Sequence, residues 1–139
     1  MREVIAGITW IGNAQDGQNI ERVIKLDIKS IVHLAFEEPA FPFPRDRMYC
    51  RFPLLDGSGN ELTMLKMAIR TVASLIQAHV PMLVSCSGGM SRSPAIVAAA
   101  LSCSEQIPVD ECLKRITAIG PHDISPALWN EVRHLVDSD

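Results

Sequence analysis

No apolar run in this 139-residue sequence exceeds seven residues, the length of Ala95 to Leu101. A helix that spans a bilayer needs about 20, so no membrane segment is expected. There is no Cys-x-x-Cys pair, and no two of the four histidines stand at ligand spacing, which argues against structural zinc. Neither sign of charge dominates: Lys plus Arg total 13 and Asp plus Glu 16, a formal net charge of −3. A chain held on nucleic acid by bulk charge would carry the opposite balance. Internal repeats, low-complexity tracts and linker-like stretches are missing as well. Glu3 lies beside a short apolar stretch at the N-terminus, which shows no signal-peptide pattern. These absences lead to the expectation of one continuous cytoplasmic domain over residues 1–139, bound to neither membrane nor nucleic acid.

What is present suits a globular protein. Hydrophobic residues make up 47% and charged residues 21%, and a chain of this length buries roughly 68–70% of its unfolded surface. Cys50, Cys86, Cys103 and Cys112 could pair as two disulfides. Reduced thiols fit a cytosolic protein better, and the question becomes which of them is reactive.

Strand and helix signals alternate along the chain. Glu3 to Ile11 reads as a strand or strand pair that ends at Gly12-Asn13, and Ile20, Val23, Ile24 and Ile28 follow a helical spacing. Ser30 to Leu34 is expected to be a buried strand. Three prolines between Glu37 and Asp46 exclude regular structure there. Met48 to Leu54 reads as a strand, closed by the turn run Asp56-Gly57-Ser58-Gly59-Asn60. Leu62, Leu65, Ile69, Val72, Leu75 and Ile76 form one helical stripe over about residues 61–79, stopped by Pro81. Val80 to Ser85 is a further strand, and the Ala-rich helix opened by Ser93-Pro94 is apolar all round, as a central helix is. Pro108 to Ala118 and Pro126 to Val136 are two more helices, the second capped by Ser125. The pattern predicts an α/β fold in three layers, with a central mixed, mostly parallel sheet flanked by helices.

The chemistry concentrates in Val84-Ser85-Cys86-Ser87-Gly88-Gly89-Met90-Ser91-Arg92-Ser93. A strand ends in a cysteine, and a loop of small residues leads to an arginine at a helix start. Successive amides in such a loop form an anion nest, to which the helix N-terminus adds partial positive charge. Gly88 and Gly89 let the backbone curl tightly. Arg92 offers a planar fork matched to two phosphate oxygens. A cation is disfavoured at a helix N-terminus, and a bound anion resolves that conflict. A sulfur at the base of this ring is favoured as thiolate, the nucleophilic form.

Cys-x5-Arg-Ser after an apolar strand resembles the signature of the cysteine-dependent protein tyrosine phosphatases. The wider pattern resembles their small dual-specificity branch. Trp10-Ile11-Gly12-Asn13-Ala14, Lys29 to Leu34 and Phe52-Pro53-Leu54-Leu55-Asp56 are similar to that branch's N-terminal strand and turn, its next strand, and the strand leading to its acid loop. The likeness covers most of residues 3–136.

The resemblance implies hydrolysis of phosphate monoesters in two displacements. Cys86 would attack phosphorus and form a phosphocysteine. Arg92 and the amides of Ser87, Gly88, Gly89, Met90 and Ser91 would bind the equatorial oxygens. Asp56, 30 residues before Cys86, would protonate the leaving group and then activate water. Asp46 and Asp123 are the competing acids. Ser93 would hydrogen-bond the sulfur and help it leave. No metal or cofactor is implied, because Arg92 and the loop dipoles neutralise the phosphoryl group. Phosphotyrosine is the expected substrate, with phosphoserine and phosphothreonine on proteins behind it, or a small phosphate ester as the non-protein alternative.

The chain departs from the family at Ser85, where a histidine usually precedes the cysteine and helps order the loop and favour the thiolate. An active but slower enzyme is therefore expected, with a non-catalytic phosphate-binding module as the alternative. A phosphoinositide substrate is disfavoured because the loop carries no Lys or His before Arg92. A rhodanese-like sulfurtransferase also uses a cysteine loop, but Arg92-Ser93 at a helix start and a placed acid favour phosphate. Cys50 is read as a strand cysteine, with a disulfide partner for Cys86 as the alternative. Cys103, Cys112 and Trp129 are read as packing, and His33 and His79 as bystanders.

Overall fold

Four parallel strands all end on one edge of a sheet, and the loops that leave those ends carry the residues singled out above. The computed structural model describes residues 1–138. In chain order the elements are β1 (Arg2–Ile5), β2 (Thr9–Gly12), α1 (Ala14–Gln18), α2 (Ile20–Lys25), β3 (Ser30–Ala35), β4 (Met48–Leu54), α3 (Leu62–Gln77), β5 (Met82–Ser85), α4 (Arg92–Glu105), α5 (Val109–Thr117) and α6 (Pro126–Ser138). The sheet order is β1-β2-β5-β3-β4. β1 pairs antiparallel with β2, and every other pairing is parallel. This is the expected mixed, mostly parallel sheet.

β3 and β5 are buried along their whole lengths, as strands covered on both faces must be. On one face α4 packs with α3, α5 and α6. Its small side chains from Ala95 to Ala100 are fully buried, so the central helix of the expected three-layer arrangement is in place. α1 lies over β2, β3 and β5 on the other face. A second apolar cluster there joins Trp10, Val23, Ile28, Ile31 and Leu83.

Three expectations change in detail. Leu62 and Ile24 are 58% and 50% exposed, so the α3 stripe begins at Leu65 and α2 buries only Val23 among its own residues. The turn expected at Gly12-Asn13 opens a short helix: Asn13 accepts from the Asp16 amide and Asp16 accepts from the Asn13 amide, each at 2.9 Å, a reciprocal cap. Cys103 is exposed on the last turn of α4, whereas Cys112 is buried. Ser125 caps α6 as expected, its Oγ accepting from the Leu128 amide at 3.4 Å. Among the described residues no helix is long and apolar enough to cross a membrane.

Candidate active site

β5 ends at Ser85, and the Cys86 amide continues its pairing by donating to Gly12 O at 3.3 Å. The Cys86 side chain is buried at 2% exposure. The chain then curls through Ser87 to Ser91 before α4 begins. Gly89 has φ +73°, and a Cβ there would lie 2.8 Å from the carbonyl carbon and oxygen of Gly12. Only glycine fits both the conformation and the close approach. Nothing lies within 4 Å of a Cβ at Gly88.

The loop's carbonyls are tied from outside by three separate segments. Ser87 O accepts from the Ala14 amide at 3.3 Å and Met90 O from the Asp123 amide at 2.8 Å. Gly89 O accepts from Arg2 Nη2 at 3.2 Å. In a trans peptide the N–H points opposite the C=O. Holding these carbonyls outward therefore turns the amides of Gly88, Met90 and Ser91 inward. Among the described residues none of the amides from Ser87 to Ser91 donates a hydrogen bond within the protein. Ser91, the N-cap of α4, also leaves the first helical amides without a side-chain cap. An anion nest follows from this geometry.

Arg92, the first residue of α4, is buried at 3% exposure. Nη1 donates to Leu54 O at 2.9 Å and to Glu37 Oε1 at 2.6 Å, and Nη2 donates to Glu37 Oε2 at 2.6 Å. Nε is buried with no hydrogen-bond partner. Burial opposes the guanidinium charge, but the Glu37 bonds and the charges of Cys86 and Asp56 outweigh it and hold Arg92 above its ordinary value. The same bonds pull the Glu37 carboxyl down to about 2. Glu37 Oε2 also accepts from Ser87 Oγ at 2.8 Å, so one carboxylate fixes both the arginine and the first loop residue.

Asp56 lies on the loop after β4. Its Oδ1 accepts from Ser91 Oγ at 2.5 Å, and Ser91 Oγ accepts in turn from the Ser125 amide at 2.9 Å. Asn60 stitches the loop behind it: Oδ1 accepts from the Leu55 amide at 2.8 Å, and Nδ2 donates to Leu55 O and Gly57 O at 3.0 and 3.2 Å. Glu131 of α6 anchors Gly59, accepting from its amide at 3.0 Å. The Gly-rich loop that carries Asp56 is thus cross-linked by Asn60 and Glu131.

Cys86, Ser87, Gly88, Met90, Ser91 and Arg92 line one cavity of about 250 Å³, together with Asp56, Glu37 and Asp123. Gly89 turns its back on that cavity to pack against Gly12. Asp46 lies elsewhere, paired with Arg47 at 3.1 Å. The expected hydrogen bond from Ser93 to the sulfur is not formed. Ser93 Oγ is buried without a hydrogen-bond partner, and a cysteine sulfur is a weak hydrogen-bond acceptor. Cys50 sits in β4 opposite Val32, half-buried, and burial pushes its thiol up. None of the four cysteines is in a disulfide.

Three residues at the site were not anticipated. Glu37 follows β3 at the same sheet edge as Cys86, and that position was its one available sequence signal. Arg2 reaches the loop from β1. His33, read as a bystander, is fully buried and faces Ser85 across the β3–β5 pairing. Ser85 Oγ and His33 Nδ1 are 3.5 Å apart. Burial lowers the imidazole's affinity for a proton, and the Arg51 and Arg92 charges add to this against the opposing Glu38 carbonyl and carboxylate. An imidazole therefore does stand beside position 85, supplied by the neighbouring strand.

No protein-family pattern matches the sequence, and no curated protein matches it. Solved structures match it closely in fold. Human DUSP28 superposes with a TM-score of 0.86 at 18% identity, over 99% of this chain and 96% of that one. A mouse putative dual specificity phosphatase complexed with zinc tungstate gives 0.84 at 21%, over 98% and 86%. PTPMT1 gives 0.78 at 17%, over 98% and 93%. The fold is that of the dual-specificity phosphatases.

Proposed function

We propose that residues 1–139 form a cysteine-dependent phosphatase that hydrolyses phosphate monoesters, phosphotyrosine first and phosphoserine or phosphothreonine on proteins second. The observation that carries this reading is that Cys86, the loop with its inward-turned amides, Arg92 and Asp56 all line one cavity.

The chemistry follows from that placement. The phosphoryl oxygens sit against the amides and Arg92, and the Cys86 thiolate attacks phosphorus in line with the ester oxygen. The P–S bond forms as the P–O bond breaks, and Asp56 in its acid form gives its proton to the departing oxygen. The Asp56 carboxylate then takes a proton from water, which attacks phosphorus. The P–S bond breaks, and inorganic phosphate and the thiolate are regenerated. A cavity of about 250 Å³ lies below the roughly 300–1,000 Å³ of pockets that enclose whole ligands. It suits a phosphoryl group and its first substituent, leaving the rest of a protein substrate outside. The carboxylates of Glu37, Asp56 and Asp123 around it disfavour substrates with several phosphates.

Hydrolysis of a chromogenic aryl phosphate by wild type, Cys86→Ser and Asp56→Asn tests the reading. Wild type turns over, Cys86→Ser is inactive, and Asp56→Asn slows most on esters with poor leaving groups. Equal rates for wild type and Cys86→Ser would leave a phosphate-binding module without catalysis. Sulfur transfer from thiosulfate to cyanide would point to the rhodanese chemistry instead.

A further inference from the structure

Of the three outside ties on the loop's carbonyls, two are backbone amides and one is a side chain. That side chain is Arg2. Its strand places it opposite Ile11 in β2, next to Gly12, whose carbonyl receives the Cys86 amide. From there the side chain crosses behind the loop. Its Cδ, Nε and Cζ fill the space over Gly120, where a Cβ would meet them at 2.5, 2.8 and 3.5 Å. Nη2 reaches Gly89 O, and Nε is buried without a hydrogen-bond partner. Among the described residues Arg2 forms no ion pair.

A half-buried guanidinium without a carboxylate is costly unless something else carries negative charge. Burial lowers the proton affinity of Arg2, and the charge that offsets this is that of the Cys86 sulfur. The other charged groups around the sulfur are Arg92 from α4, Glu37 and Asp56 from the loops after β3 and β4, and Asp123 from the loop before α6. Three of those four are acidic, so a second cation behind the loop counters them.

We propose that Arg2 is a positioning residue for the catalytic loop: it holds the Gly89–Met90 peptide so that the Met90 amide faces the cup, and it places a second positive charge behind Cys86. This rests on Cys86 being the nucleophile, and it assigns to β1 part of what the chain lacks at Ser85. The hydrogen bond and the charge are separable. Arg2→Gln keeps a donor and drops the charge, Arg2→Lys keeps the charge, and Arg2→Ala removes both.

Neither readout of the test needs turnover. One is the rate of Cys86 alkylation by iodoacetamide across pH, followed by peptide mass. The other is the concentration of inorganic phosphate or tungstate that protects Cys86 from it. An opposite charge in reach of a thiolate shifts its population strongly, so Arg2→Ala and Arg2→Gln should slow alkylation below neutral pH by about tenfold, with Arg2→Lys near wild type. Arg2→Ala should also need more oxyanion for protection than Arg2→Gln. Wild-type alkylation profiles and oxyanion protection in Arg2→Gln and Arg2→Ala would overturn the proposal and leave Arg2 a packing residue over Gly120. If Arg2→Ala does not fold, Arg2→Gln against Arg2→Lys decides it alone. Slowed alkylation in Arg2→Ala and Arg2→Gln, with a wild type that hydrolyses no aryl phosphate, would support the role of Arg2 while refuting the phosphatase reading.

Discussion

Arg92 grips Glu37 end-on. Both terminal nitrogens lie 2.6 Å from its carboxylate oxygens, while Nε on the side edge stays buried and unpaired. The pair holds the guanidinium by its two terminal nitrogens, and Leu54 O takes a further bond from Nη1. Glu37 is thereby a positioning group, and Glu37→Gln should weaken inhibition by inorganic phosphate about tenfold, the size expected for losing a charge-assisted bidentate pair. Tighter phosphate binding in that variant would instead make Glu37 a competitor for the cup.

The same pair makes stability depend on pH in a stated window. A carboxyl held at about 2 when folded, against its ordinary value of 4.5, favours the native state in its ionised form. Its contribution is complete above pH 4.5 and is lost as pH falls toward 2. The difference in Tm between wild type and Glu37→Gln should be constant from neutral pH down to that upper limit, then shrink. A difference that grows on acidification would contradict the pairing.

His33 gives a second, separate pH effect. Burial holds its proton affinity below the ordinary 6.5, so the unfolded chain binds a proton before the native one does. Stability should therefore fall as pH drops below 6.5, and His33→Gln should flatten that slope. Tm from pH 7.5 to 5.5 for both proteins measures it. Parallel slopes would show that His33 is not the group responsible.

Gly88 and Gly89 are adjacent and should behave oppositely. Gly89→Ala places a Cβ 2.8 Å from the Gly12 carbonyl at φ +73°, and a non-glycine in that region costs about 1–3 kcal/mol before the clash is counted. Tm and tungstate binding should both drop. Gly88→Ala meets open space and should keep its stability.

Asn60 closes the acid loop through three hydrogen bonds to Leu55 and Gly57. On the proposed mechanism, Asn60→Ala should lower kcat on poor leaving groups, where proton donation by Asp56 would limit the rate, and leave Cys86 alkylation unchanged. A loss equal for good and poor leaving groups would mean the loop serves binding rather than proton transfer.

Much of this was legible in the sequence, for physical reasons that also mark where legibility ends. β3, β4, α3, β5 and α4 announce themselves because burial enforces apolar runs or a 3.6-residue stripe. Cys86 to Ser93 could be read because a loop and the helix it opens are contiguous, so nest, thiol and arginine share one short segment. Glu37, His33 and Arg2 reach that segment through sheet topology. His33 meets Ser85 only because β3 pairs with β5 in that register, and Arg2 meets Gly89 only because β1 pairs back on β2. The β3–β5 register does not follow from the spacing of residues along the chain, and the β1–β2 pair, one reading of Glu3 to Ile11, does not by itself bring Arg2 to Gly89. Asp56 was readable as a turn aspartate, but its bond to Ser91, which points it at the cup, was not.

The central claim is that phosphate is transferred to the Cys86 sulfur. Acid quenching of a rapid reaction with a labelled aryl phosphate, followed by peptide mapping, tests it directly. The account predicts label on the peptide containing Cys86, accumulating further in Asp56→Asn, whose water step is slowed, and absent in Cys86→Ser. Turnover at the wild-type rate with no label on Cys86 at any time would contradict it.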